Sequence, residues 1–273
     1  MKKCVVIIPI YKKVIDKCEM ASVLQCKNIL SQYDIKFVCP QNLDVSEYQK
    51  FADFEFVRLD DKNFESIHSY SALLLNKGFY EKFSDYEYML IYQLDSWVFK
   101  DELSQWCDKG YDYIGAPWFK GFSIAKENAK MRKFAGNGGF SLRKISTFVD
   151  MLSDIENSDE KMTSLLDIYT KRGERPKWRI SKLPKAIIKY FSKSNILKFA
   201  LKNPPDCEDS IIVNDLRHVY PKLNIAEAKD AKTFSFEVLP KRLFEECNNE
   251  LPFGCHAFKK YDWDFWKKYI KCE

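Results

Sequence analysis

The sequence predicts an α/β fold: a mixed, mostly parallel sheet flanked by helices, built as a single domain over residues 1–273. Three observations carry this. Short apolar runs alternate with stretches of helical period through the first half of the chain. One run, Tyr88–Phe99, is apolar almost throughout, as a strand covered on both faces must be. A chain of 273 residues that is 46% hydrophobic also has enough apolar material for one sizeable core.

Taken in order, Val5–Ile10 reads as the first strand, short and closed by Pro9-Ile10-Tyr11. Val14–Ser31 has apolar residues every three or four positions, through Val23, Cys26 and Leu30, and reads as a helix. Ile35–Cys39 is a strand stopped by Pro40, and Phe54–Leu59 another that closes on Asp60 and Asp61. Ser69–Phe83 is a Leu-rich helix leading into the strand that ends at Asp95. Beyond it come a Gly-rich turn, a basic segment, a short helix from about Asp209 and an aromatic tail.

The net charge of +5 is unevenly distributed. Residues 171–203 hold eleven Lys or Arg against the single acid Glu174, so the remainder of the chain is net acidic. Residues 183–202 interleave the cations with Ile, Phe and Leu. That pattern suits an anionic membrane surface and equally suits a solvated helix face. We treat 156–203 as a basic helical insertion. No stacking or glycine motif of a nucleic-acid binder is present, so nucleic acid is not expected as a partner. Nine Cys without a CxxC pair, and no secretory apolar region after Met1, predict a reducing, cytoplasmic setting with no disulfide framework. No apolar stretch approaches the length of a membrane span.

Four local motifs carry chemistry. Gln93-Leu94-Asp95 ends the long strand, where open α/β sheets bind ligands. Asp95 there either holds a metal or ligand hydroxyl, or caps a turn. Tyr113-Ile-Gly-Ala-Pro-Trp118 is followed by Gly136-Asn-Gly-Gly-Phe-Ser-Leu-Arg143, whose Gly138 and Gly139 allow close backbone approach and positive φ. It is neither a Walker loop nor a dinucleotide fingerprint. Glu208 and Asp209 precede an apolar helical run, as capping residues or as a general base facing a cleft. His256, in Pro252-Phe-Gly-Cys-His256, is either a structural imidazole or a metal ligand.

Together these motifs resemble the GT-A-fold (Rossmann-like) glycosyltransferases. More narrowly, they resemble a bacterial and fungal family associated with capsule and O-antigen synthesis. The resemblance covers roughly residues 4–150 and 204–260. It implies an inverting transfer of a sugar from a nucleotide-sugar donor, a UDP-sugar foremost, with a furanose donor such as UDP-galactofuranose among the candidates. The acceptor it implies is a hydroxyl of a lipid-linked, polyprenyl-diphosphate glycan at the inner face of the plasma membrane. It places Gln93 and Asp95 on the Asp-x-Asp motif that holds Mn²⁺ or Mg²⁺ against the donor diphosphate. Gln93 stands where that motif has its first Asp, which removes one ligand charge. By the same resemblance His256 would complete the metal shell, and Asp209, beside Glu208, would be the catalytic base. Tyr11 and Asp60 are donor contacts by position. Two other readings stay open: a sugar nucleotidyltransferase, and a non-catalytic carbohydrate-binding or scaffolding relative.

Overall fold

The computed structural model describes residues 1–157, 198 and 200–272. Most of the basic insertion expected at 156–203, and most of the membrane-contact segment 183–202, lies outside the described residues.

A six-stranded sheet forms the centre. Its strands are β1 (Lys2–Pro9), β2 (Asp34–Pro40), β3 (Glu55–Leu59), β4 (Tyr86–Tyr92), β6 (Tyr113–Ile114) and β7 (Phe140–Lys144), in the spatial order β3-β2-β1-β4-β7-β6. The β1–β2, β2–β3 and β1–β4 pairs are parallel, and β7 runs antiparallel to both β4 and β6. The predicted mixed, mostly parallel sheet is present, with helices on both faces.

Side-chain alternation explains the continuous apolar runs. Cys4, Val6 and Ile8 of β1, with Tyr88, Leu90 and Tyr92 of β4, pack on the face covered by α1 (Lys17–Ile29). Val5, Ile7, Met89 and Ile91 point the other way, against α3 (Ile67–Leu74), α4 (Lys77–Glu81) and α6 (Ile145–Asn157). Both faces are covered, so neither set can be polar. Each such side chain contributes about 1.5–3 kcal/mol on full burial.

Three expectations are corrected in detail. The helix read over Ser69–Phe83 is two helices, because Asn76 Oδ1 accepts from Gly78 N (2.8 Å) and caps the start of α4. The run to Phe99 is also two elements. The chain breaks at Gln93–Asp95, and Ser96–Val98 becomes β5 of a second sheet, β5-β9-β8, with β8 at Ser235–Phe236 and β9 at Gly254–His256. Cys18 and Cys272 are joined by a disulfide across 254 residues, so the expectation of a chain without disulfides does not hold.

The β1→β2→β3 progression runs one way from β1, and the chain then returns to place β4 on its other side. The crevice between the carboxyl ends of β1 and β4 is therefore a topological switch point, the place where open α/β sheets take ligands.

Candidate active site

Two backbone pairings assemble the centre of this edge. Gln93 N donates to Gly139 O (2.8 Å), which ties the end of β4 to the turn before β7. In the small sheet Ser96 lies opposite His256 in the antiparallel β5–β9 register, so His256 arrives beside Asp95. His256 Nε2 is 3.2 Å from Asp95 Oδ1 and 3.2 Å from Gln93 Oε1. The other ring nitrogen, Nδ1, faces Glu237 Oε1 (3.1 Å) and Asn137 Nδ2 (2.9 Å). Burial and the charge of Glu208 push the Tyr70 phenol of α3 up, and Gln93 acts against that shift.

Electrostatics follow from this packing. Burial disfavours the His256 imidazolium, but Asp95 and Glu237 outweigh it and push the pKa up to about 10. Desolvation acts against the Asp95 carboxylate, yet the charge and hydrogen bond of His256 hold it below the usual range. Lys260, exposed at the rim, is raised by its hydrogen bond to Tyr261 and by the charges of Glu237 and Asp95.

The second carboxylate pair sits on α7 (Glu208–Ile211), and its two members are in different environments. Glu208 is 5% exposed and accepts from Arg143 Nη2 at 2.8 Å. Arg143, 0% exposed on β7, also donates to Tyr80 OH (3.1 Å) and Ser141 Oγ (3.2 Å) and lies over the Tyr113 ring. Glu208 N donates to Ser71 Oγ (3.3 Å), which fixes the first turn of the helix. Asp209 makes no such ion pair among the described residues, its Oδ1 accepting from Ser210 N at 2.6 Å. Burial, then the charges of Glu208 and Glu237, push its pKa up to about 7.

The glycines act differently from expectation. A Cβ on Gly138 would lie 2.3 Å from Glu208 Oε1, and one on Gly139 would lie 2.1 Å from His256 Nε2. Both are therefore needed so that the protein's own site side chains can approach the backbone. The positive φ of this turn falls on Asn137 (φ 69), not on either glycine. Asn137 holds the turn by accepting from Phe140 N (3.0 Å).

The edge thus brings together Gln93, Asp95, His256, Gly138, Gly139, Glu208 and Asp209. Tyr11, 63% exposed, follows β1 on the same edge. Asp60 follows β3, three strand spacings or about 14 Å from β4. Its carboxylate is engaged by Lys62, at 3.1 Å from the backbone N and 2.7 Å from Nζ. Sequence reasoning missed Tyr70, Asn137, Arg143, Glu237 and Lys260. Cavities of about 350 Å³ (against Leu73, Leu152 and Leu201) and about 450 Å³ (against Lys2, Asp34 and Tyr86) lie away from this cluster.

Among the described residues no three His, Cys, Asp or Glu side chains are arranged to hold a metal. The donors that converge are one carboxylate, one imidazole nitrogen and the Gln93 amide oxygen. That set fits a divalent cation whose remaining ligands come from a bound diphosphate, the cation taking the place of the Nε2 proton that Asp95 and Gln93 now face. Glu237 on Nδ1 fits too, as the outer partner that orients a ligating imidazole.

The fold and the cluster together define an α/β protein with a carboxylate-rich side-chain cluster at the switch point of its sheet. The chain belongs to the family described as "Protein of unknown function (DUF5672)", which it matches over residues 53–256. No curated protein matches it in sequence. Among solved structures it is similar to LgtC, a galactosyltransferase in complex with donor and acceptor sugar analogs: 10% identity, 92% of this chain and 86% of that one, TM-score 0.46. It is similar to the glycosyltransferase GlyE of Streptococcus pneumoniae TIGR4, with 12% identity, 94% of this chain, 54% of that one and TM-score 0.46. A glycosyltransferase involved in glycosylation of the major capsid of PBCV-1 is similar at 11% identity, 93% and 92% coverage and TM-score 0.42.

Proposed function

We propose that this protein is an inverting glycosyltransferase of GT-A type. It moves a sugar from a nucleotide-sugar donor, a UDP-sugar foremost, to a hydroxyl of a lipid-linked precursor of a cell-surface polysaccharide. One observation carries the reading: Asp209, its pKa pushed up to about 7, feels the charge of Glu237, the carboxylate on His256 Nδ1 of the Asp95–Gln93–His256 donor set.

The two parts have complementary tasks. The acceptor oxygen attacks the anomeric carbon while the bond from that carbon to the diphosphate oxygen breaks, and the bond's electron pair leaves with the diphosphate. The attacking hydroxyl loses its proton to the Asp209 carboxylate, whose pKa near 7 suits a base working at neutral pH. Glu208 is a positioning residue, clamped by Arg143 so that α7 presents Asp209 to the cleft. Asp95, Gln93 and His256 Nε2 would hold Mn²⁺ or Mg²⁺, with Glu237 orienting the ring. Such an ion neutralises charge that develops on the leaving diphosphate. Lys260 adds a cation at the rim of the same site. Tyr11 is available at the mouth to stack on the nucleotide base.

No described helix is long and apolar enough to cross a membrane. The proposed place of action is the inner face of the plasma membrane, reached peripherally.

The reading is tested by thermal-shift measurements with UDP-, GDP-, dTDP- and CMP-sugars, each with Mn²⁺ and with EDTA. We expect one nucleotide family to raise the melting temperature only with Mn²⁺, and Asp95→Asn to lose that rise. Absence of a shift with every donor would sink the reading.

A further inference from the structure

We propose that the loop from Lys120 to Lys133 is a membrane-contact finger that seats the cleft edge on an anionic bilayer. The loop leaves β6 at the cleft edge and returns to β7 there. Its base is pinned: Lys120 N donates to Lys130 O (2.9 Å) and Arg132 N to Trp118 O (2.7 Å). Farther along, Arg242 Nη1 donates to Glu127 O and Ala129 O, both at 2.7 Å. A finger this well tied has an ordered tip, and the tip is apolar. Phe122–Ile124 forms a short 3₁₀ turn in which Ile124 is 84% exposed and Phe122 37% exposed.

Two features identify the occupant. The first is charge: Lys120, Lys126 and Lys130 are exposed and make no ion pair among the described residues. With Arg132 and Lys133, against Glu127 alone, they make the finger strongly cationic. The second is placement of other exposed apolar groups: Tyr11 (63%) and Val14 (71%) follow β1 and Ile67 (71%) opens α3, all at this same edge, whereas Met1 (90%) precedes β1 at the opposite edge and Leu24 (41%) lies on α1. An apolar tip surrounded by unpaired lysines matches an interface whose headgroups are anionic and whose boundary accepts a few aliphatic side chains. A protein groove could accept Ile124, but it would not call for lysines on every side of it. This contact does not depend on the sugar-transfer reading; if that reading holds, the finger turns the cleft toward a lipid-linked acceptor.

The test uses the full chain, without donor, and phosphatidylcholine vesicles with and without phosphatidylglycerol. Wild type should co-sediment only with the anionic vesicles. Changing Lys120, Lys126 and Lys130 to Gln should weaken binding about fivefold per lysine, on the order of a hundredfold together. An Ile124→Trp variant should show, over the signal of the six native tryptophans in wild type, an added blue-shifted component on binding that brominated lipid quenches, locating contact at the tip. All four side chains are exposed, so unchanged melting temperatures should show that the variants fold. Absence of wild-type binding, wild-type affinity in the triple variant, or vesicle binding without quenching at position 124 would each overturn the proposal. The last result would assign the membrane contact to another part of the chain.

Discussion

Replacing Arg143 with Met should destabilise the protein by about 3–5 kcal/mol, because it strands the Glu208 carboxylate without its counter-ion in the interior. The magnitude follows from the surroundings. Arg143 is 0% exposed and Glu208 5%, so water cannot solvate the orphaned charge. The hydrogen bonds to Tyr80 and Ser141 are lost as well, at about 1 kcal/mol each. For a chain of this size the melting temperature should fall by about 10 °C. The informative comparison is the double variant Arg143→Met/Glu208→Met. Removing both charges replaces a costly pair with apolar side chains of similar volume, so the double variant should regain most of the loss. Urea unfolding followed by circular dichroism measures the three variants against wild type. A cost below about 1 kcal/mol for the single variant, or a double variant as unstable as the sum of the singles, would refute the reasoning that Glu208 needs Arg143.

Three further outcomes are expected. Asp209→Asn should lower turnover by about 10²–10⁴-fold while donor-induced stabilisation remains, and wild-type kcat/KM should rise with pH through about 7, read from initial rates. The sign for stability is the opposite: a carboxyl raised to about 7 from 3.8 contributes stability that is lost as pH rises across that window, so Asp209→Asn should gain on wild type from pH 4 to 7 in thermal unfolding. Gly139→Ala puts a Cβ 2.1 Å from His256 Nε2, which must move away from Asp95 and Gln93; titration calorimetry should show loss of Mn²⁺-dependent donor binding in a protein that stays folded. Cys272→Ser opens the disulfide to Cys18 and should cost about 2–4 kcal/mol in denaturant, whereas a reducing agent should leave that variant's midpoint unchanged.

The site was legible where a residue's type and its place in the sheet pattern coincide. Asp95 ends a run too apolar to be anything but a buried strand, and a carboxylate there needs a partner. Its partner His256 stood in the sequence as a candidate, but the β5–β9 register that joins the two has no local signal. Glu237 was hidden because it lies just past β8 (Ser235–Phe236), a strand too short to recognise by alternation. Arg143 had a signal that went unread: period-2 spacing puts Ser141 and Arg143 on one face of β7, opposite Phe140 and Leu142, so a buried cation should have been sought there. Glu208 and Asp209 are adjacent and chemically alike, and only packing separates them, one clamped by a guanidinium and one without an ion pair among the described residues. The helix break at Asn76 was readable from Asn76-Lys77-Gly78 but was masked by the Leu-rich stretch around it. The Cys18–Cys272 bridge joins residues with no sequence relation at all.

The small sheet gives the site a schedule as well as a shape. Gln93 and His256 are 163 residues apart, and β9 is hydrogen-bonded between β5 and β8. During synthesis the large sheet has all its strands while Asp95 still lacks its imidazole. Any chain stopped short of Gly254 therefore keeps most of its core without the donor set. β9 thus adds the imidazole to a sheet whose six strands have already been made. A nascent or clipped chain can thus be well packed and still lack the Asp95–His256 pairing.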